Sequence, residues 1–287
     1  MGLANSIKFY KKNTVIRVLN DLDITLKFLP NSMLYFLMKL RLIKLVDFSK
    51  YNDINLVISC GRVTAPINLI IKENSLCKNI HILDPYFRRK SFDKIVIPNH
   101  DSTKSFENSI KIHGSIVNEE NKKIKPSLCL KLKKNLNISR NKKIITIFLG
   151  GNGKSSKFEI RDIKRFRQLI SKIDNKKFQL FFLFSRRTPN ILKSSIKKEY
   201  NKTAYIWDEK SLNPYWYLIN NSDFFIITSD SISMTSDAIS TSKPVFIFSV
   251  RNVKKKIKDF HKQLIDNRIT REFAGNIKSW NYNSISE

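Results

Sequence analysis

Cysteine is scarce, acid is scarce, and no long apolar run interrupts the chain. Three cysteines among 287 residues, Cys60, Cys77 and Cys129, leave an odd number and form no CxxC pair. That count argues against a disulfide framework and a zinc site, and it fits a reducing cytoplasm. The four histidines, His81, His100, His113 and His261, are scattered, with no HExxH and no clustered carboxylates, so no metal centre is expected. Without a GxSxG elbow a serine nucleophile is not expected either. The longest uncharged apolar run near the N-terminus, Phe28 to Met38, falls far below the roughly 20 residues of a membrane span. The same region lacks the regions of a signal peptide, and no fixed-period repeat is evident. The expectation is a soluble or peripheral protein.

The shortage of acid is pronounced: 24 Asp and Glu stand against 53 Lys and Arg, for a net charge of +29 and a pI near 10.0. Such a balance ordinarily points to nucleic acid or an anionic membrane. Most of the excess is lysine, however, and it travels with abundant asparagine and isoleucine, the signature of an AT-rich coding bias. No RNP-type aromatic motif, zinc finger or helix-turn-helix pattern accompanies it, so no specific nucleic-acid partner is expected.

What is present is an alternating pattern. Apolar runs of strand length occur at Ile144–Leu149, Phe178–Phe184, Ala204–Trp207, Asp223–Thr228 and Pro244–Phe248, separated by stretches of helical spacing. Alternation of this kind predicts a parallel, doubly wound sheet that binds ligands at the carboxyl ends of its strands. The first half repeats the theme with Leu56–Ser59, Ile80–Leu83, Lys94–Pro98 and a short run at Ser115–Val117. The Lys-rich stretch 118–143 reads as a connector followed by one short helix. The expected division is therefore 1–142 and 143–287, two α/β domains with a boundary near residue 142. The segment Ile24–Phe48 mixes Phe, Leu and Met with lysine and arginine, which suits either a domain helix with a basic rim or an interfacial helix. In KKKIKDFHKQLIDNRI, residues Ile257, Phe260, His261, Leu264 and Ile265 fall on one face of a helix.

Four constellations lie at the ends of predicted strands. In TIFLGGNGKSSKFEI, Gly150, Gly151 and Gly153 precede Ser155 and Ser156; this is either an anion cradle or a glycine turn with a serine cap. In LFSRRTP, Ser185 is followed by Arg186 and Arg187, a pair suited to clamping phosphate or carboxylate, or else a solvated pair in a basic protein. In FIITSDSISMTSDA, Ser229, Asp230, Ser231, Ser233 and Met234 lie between strand and helix, and Asp237 sits one turn further on, where an acid can reach a ribose diol. Capping by Ser231 or Ser233 accounts for one hydroxyl and not for the cluster. In the first half, SCGRVTAP follows one strand, and VIPNHD brings His100 and Asp101 together as a base and its orienter, or as a structural pair.

Taken together, GRVTAP, FDKIVIPNHD, GGNGKSSKF, SRRTP, WDEKSLNPYWYLI, SDSISMTSDAISTSKPV and KKKIKDFHKQL resemble, in order, the mitochondrial-fission "elongated mitochondria" family of plants and its bacterial relatives. The resemblance implies a GT-B-like pair of Rossmann-like domains facing a cleft. It also implies a glycosyltransferase that moves a sugar from a nucleotide-sugar donor to a glycan or lipid-linked acceptor of the cell envelope. By that analogy Gly150 and Gly151 lie near the diphosphate, Ser185 to Arg187 line the cleft, Ser229 to Met234 meet the phosphates and Asp237 meets the ribose. His100 or Asp101 supplies the base, and no bound metal or cofactor is needed. The place implied is cytoplasmic, peripheral on the inner face of the cytoplasmic membrane. The alternative is a non-catalytic adaptor at a membrane surface, as the plant relatives are. Two departures stand out. The chain opens in MGLANSIKF, which resembles the family's first helix, so the preceding strand and its loop are expected to be missing, and Asp237 stands where the family commonly has Glu.

Overall fold

A computed structural model describes residues 26–43, 54–101, 105–112, 114–117 and 122–282. The MGLANSIKF segment, both ends of the Ile24–Phe48 segment and His113 lie outside the described residues. The chain divides into two compact units, one running to His113 and the other from Gly114 onward.

The first unit holds a parallel sheet of β1 (Leu56–Cys60), β2 (Lys78–Ile82), β3 (Lys94–Pro98) and β4 (Ser109–Ile112), hydrogen-bonded in that order. Ser115–Val117, expected as a strand, is not one; the pairing with β3 falls to β4, where Ile110 and Ile112 alternate with polar residues. Two helices, α1 (Asn31–Lys39) and α2 (Thr64–Ser75), pack together, and α2 contributes Ala65, Ile67, Leu69, Ile70 and Ile71 to a core shared with Ile95 and Ile97 of β3.

The second unit is built on a six-stranded parallel sheet. Its strands are β5 (Lys143–Leu149), β7 (Phe178–Phe184), β8 (Tyr205–Ile206), β9 (Phe224–Thr228), β10 (Val245–Phe248) and β12 (Thr270–Glu272). A separate two-stranded ribbon pairs β6 (Ser156–Lys157) with β11 (Asn252–Val253). Every residue of β9 is buried, and β5 and β7 are nearly so, because the sheet is covered on both faces. The pleat assigns alternate residues to opposite cores: Ile145, Ile147, Leu180, Phe182, Phe224 and Ile226 to one, and Phe148, Phe181, Leu183, Phe225 and Ile227 to the other. This two-sided burial is why the strands read as continuous apolar runs.

The unit boundary lies well before the expected residue 142. The reason is helix α3 (Pro126–Asn135): its lysines face outward, while Leu132 and the following Leu136, 2% and 1% exposed, join the second unit's core. Helices α4 (Ile160–Ile170), α5 (Asn190–Tyr200), α6 (Tyr215–Asn221), α7 (Ile232–Ile239) and α8 (Lys255–Asp266) complete the layers. Helix α8 buries Ile257, Phe260, His261 and Leu264, the face read from its spacing. No helix among the described residues is long and apolar enough to cross a membrane.

Candidate functional site

The order of the large sheet, β12-β10-β9-β5-β7-β8, fixes where a site can form. The chain starts at β5, winds outward to β7 and β8, then returns to the other side of β5 for β9, β10 and β12. This is the doubly wound order of a Rossmann fold, and its switch point lies between β5 and β9. In sheets of this order, ligands bind at the carboxyl ends of the strands that flank the switch point. The segments at those ends are Gly150–Gly153 and Thr228–Ser231, with Ser185–Thr188 alongside after β7.

Hydrogen bonds lace these three segments together. The Gly150 amide donates to Thr228 Oγ1 at 2.8 Å, and the Gly151 amide donates to Asp230 Oδ2 at 2.7 Å. From the β7 side, the Thr188 hydroxyl meets the carbonyls of Leu149 and Gly150 at 2.8 and 2.7 Å, and the Asn152 amide donates to the Arg187 carbonyl at 2.9 Å. The Ser156 hydroxyl donates to the Gly151 carbonyl at 2.8 Å. The first two glycines therefore permit close approach of backbone and carboxylate, and their own amides are engaged within the protein.

Asp230 is the most perturbed group of this cluster. It is 6% exposed, and its Oδ1 has no hydrogen-bond partner among the described residues. Burial pushes its carboxyl above the ordinary range, opposed by hydrogen bonds from Thr228 and Gly151 and by the charge of Arg187. A carboxyl whose folded pKa is raised stabilises most when protonated, and that contribution is lost as pH rises through the folded value. Asp230→Asn keeps an oxygen for the Gly151 amide and removes the charge. It is expected to match or exceed the wild type in urea midpoint, with an advantage that grows as pH rises through the carboxylate range. Asp230→Ala strands a buried amide and is expected to cost about 1–3 kcal/mol. Equal pH dependence of Asp230→Asn and wild type would show that Asp230 carries no buried charge.

The remaining predicted residues take distinct places. Ser229 Oγ accepts from the Val250 amide at 2.9 Å, tying the end of β9 to the end of β10. Ser231 is the N-cap of α7, its Oγ accepting from the Met234 amide at 3.3 Å. Ser233 is exposed on the first turn, and Met234 packs against the core. Ser185 Oγ accepts from the Arg187 amide at 3.2 Å, while the Arg186 and Arg187 side chains are exposed. Asp237 accepts a hydrogen bond at 2.7 Å from the hydroxyl of Tyr215, whose ring packs tilted against Phe148 with centroids 4.8 Å apart. Burial and the adjacent Asp237 carboxylate push that phenol far above its ordinary range.

His100 and Asp101 belong to the first unit, in the turn that closes β3, where the Asp101 amide donates to the Pro98 carbonyl at 2.9 Å. Sequence reasoning met Thr188 only as the end of the Ser185–Thr188 run and missed Thr228 and Tyr215; all three side chains brace the cluster. Tyr215 offered one signal, an aromatic residue one position after a proline at a helix start. A basic hollow of about 640 Å³ opens elsewhere in the second unit, lined by Arg140, Lys142, Lys143, Lys176 and Asp223 at the amino ends of the strands. It lies at the edge opposite the switch point.

A family model for mitochondrial fission ELM1 matches residues 1–287. The chain belongs to that family. This ELM1-family chain is 30% identical to an uncharacterised protein, RP120, of Rickettsia prowazekii (strain Madrid E), across 90% of this chain and 84% of the relative. It is 35% identical to the mitochondrial fission protein ELM1 of Arabidopsis thaliana over 108 residues, 36% of this chain and 25% of that protein. Among solved structures it is similar to a UDP-GlcNAc 2-epimerase from Neisseria meningitidis bound to UDP-GlcNAc. The TM-score is 0.51 at 16% identity, covering 96% of this chain and 84% of the epimerase. That likeness concerns the fold: Rossmann-like α/β domains of the GT-B type.

Proposed function

We propose that this ELM1-family protein binds a nucleotide-sugar at the carboxyl ends of the second unit's sheet and transfers the sugar to a glycan or lipid-linked acceptor of the cell envelope. The observation that carries the reading is the convergence of Gly150–Gly153, Ser185–Thr188 and Thr228–Ser231 on the switch point of a Rossmann-ordered sheet. The epimerase that shares the fold holds UDP-GlcNAc, which supports a nucleotide-sugar ligand. In this assignment the start of α7, from Ser231 through Ser233 and Met234, offers amides and dipole to the diphosphate. Arg186 and Arg187 offset its charge as it leaves, and Asp237 meets the ribose. Gly150 and Gly151 shape the floor. His100 or Asp101 of the first unit acts as base toward the acceptor, and a peripheral position on the inner face of the cytoplasmic membrane completes the proposal.

Two observations favour a second reading, a non-catalytic adaptor that keeps the fold. The engaged glycine amides and the buried Asp230 carboxylate both work against a diphosphate at the switch point. Thermal denaturation with UDP, GDP, ADP and CMP species separates the two. At a hundredfold excess over Kd a true ligand contributes about 2.7 kcal/mol, a rise of several degrees in Tm. For the responding nucleotide, wild type is expected to prefer the ribo form over its 2′-deoxy analogue by about tenfold, and Asp237→Ala to lose that preference. A folded protein whose Tm answers to none of these nucleotides overturns the glycosyl-transfer reading.

A further inference from the structure

Helix α1 (Asn31–Lys39) is apolar on both sides. Leu34, Tyr35 and Met38, 1%, 5% and 4% exposed, pack into the first unit's core against α2. The opposite side carries Met33, Phe36 and Leu40 at 49%, 58% and 52% exposure, and its flanks carry Phe28 at 81% and Leu42 at 69%. At 100° per residue, positions 33, 36 and 40 fall within about 60° of one another, a single stripe. Burying one such side chain is worth about 1.5–3 kcal/mol, so a stripe of this size left in water marks an interaction surface.

The groups around the stripe are cationic. Arg41 follows the helix and is exposed, and the Lys39 side chain is 55% exposed. On the other side of the helix, Arg88 covers the buried Tyr35, its guanidinium carbon 4.6 Å from the ring centroid. Arg62 donates from Nη1 to the Leu29 carbonyl at 3.1 Å. The acid met in these contacts, Glu73, is engaged by the Tyr35 hydroxyl and lies 3.7 Å from Lys39 Nζ. An apolar ridge rimmed by cations complements a bilayer in which anionic headgroups surround acyl chains. A second copy fits poorly, because a two-fold contact through this stripe sets the arginine rims against each other.

The geometry points to a membrane-docking surface: Phe28, Met33, Phe36, Leu40 and Leu42 enter the headgroup boundary of an anionic bilayer while Lys39, Arg41 and Arg62 hold its phosphates. This inference deepens the peripheral membrane position proposed above; it is independent of the nucleotide site, and either can fail alone.

Co-sedimentation of the full chain with vesicles of phosphatidylcholine, alone or mixed with phosphatidylglycerol, tests it. Wild type is expected to pellet with the mixed vesicles and to be partly retained at high salt, where purely electrostatic adsorption is screened. Phe36→Asp/Leu40→Asp is expected to lose at least about tenfold in partitioning. Lys39→Glu/Arg41→Glu should lose a comparable factor on mixed vesicles. A same-sized charge reversal on α8, Lys258→Glu/Lys262→Glu, should change binding far less. Phe36→Trp gives a readout that does not depend on a disruptive variant: its emission, taken against wild type, should shift to the blue with mixed vesicles. The inference is overturned if wild type stays in the supernatant, if the α8 control loses as much as the α1 variants, or if the added emission of Phe36→Trp is unmoved by the vesicles. It is equally overturned if sedimentation velocity finds a dimer that Phe36→Asp/Leu40→Asp converts to monomer.

Discussion

Gly151→Ala is expected to destabilise the second unit by about 3 kcal/mol, at the upper end of overpacking costs. A Cβ on Gly151 would lie 1.9 Å from the carbonyl oxygen of Arg187 and 2.0 Å from its carbonyl carbon. Those atoms are backbone, and the same carbonyl accepts the Asn152 amide at 2.9 Å, so relief requires moving the turn after β7 away from the end of β5. A Cβ on Gly150 would lie 2.0 Å from Asp230 Oδ2, a side-chain atom that can turn at the expense of its bond to the Gly151 amide, and about 1–3 kcal/mol is expected there. At Gly153 the obstacle is Arg187 Nη1 at 2.8 Å, the far end of an exposed side chain, and the change should fall within about 0.5 kcal/mol. Urea midpoints should therefore fall most for Gly151→Ala, less for Gly150→Ala and hardly at all for Gly153→Ala. If Gly151→Ala unfolds at the same urea concentration as Gly153→Ala, the three loops are not locked together as described. None of these glycines has positive φ, so the order reflects contact distance alone.

That gradation also marks where sequence reasoning stops. The central strands were legible because a sheet covered on both faces forces apolar residues at every position, as in Phe181 to Phe184 and Phe224 to Ile227. Helix α8 was legible for the complementary reason, a narrow apolar stripe against a charged background. The edges were less even: β8 was read at Ala204–Trp207 and is the shorter Tyr205–Ile206, while β12, with one buried residue, Thr270, has too little burial to imprint a pattern. The short helix expected within 118–143 is α3, but lysine abundance hid which unit it serves: its buried Leu132 joins the second unit's core. At the candidate site, the strand-end positions were readable from the alternation of elements. The partners were not: Thr228 to Gly150, Asp230 to Gly151 and Tyr215 to Asp237 join residues 78, 79 and 22 positions apart, which no local pattern encodes.

The first unit conceals a further long-range arrangement, and it makes the protein acid-sensitive. His81 on β2 is fully buried against Phe92, with ring centroids 5.3 Å apart. Its Nδ1 lies 2.7 Å from Ser59 Oγ, which also accepts from Asn68 Nδ2 at 2.8 Å. Asn68 in turn accepts from Asn79, whose Oδ1 accepts from Lys72 and the Asp93 amide, so one polar network spans β1, β2 and α2. An imidazolium there would be compensated only in part: Nε2 has no hydrogen-bond partner among the described residues, and burial, opposed by the charge of Asp84, lowers the His81 pKa from its ordinary 6.5 to about 4. Between those values the unfolded chain binds the proton and the folded chain does not. Stability is therefore full above 6.5 and falls as pH drops toward 4, by about 3 kcal/mol in total. His81→Leu should be less stable than wild type near neutrality, since it leaves Ser59 short of a partner, yet lose less of its stability on acidification; the difference between the two slopes isolates His81 from the carboxylates. The probe matters, because the tryptophans, Trp207, Trp216 and Trp280, all lie in the second unit. Far-ultraviolet circular dichroism or hydrogen exchange at β1 and β2 is the measurement to use. Parallel pH profiles for wild type and His81→Leu would mean that His81 takes up its proton in the folded state at its ordinary pKa, which the packing against Ser59 and Phe92 does not allow.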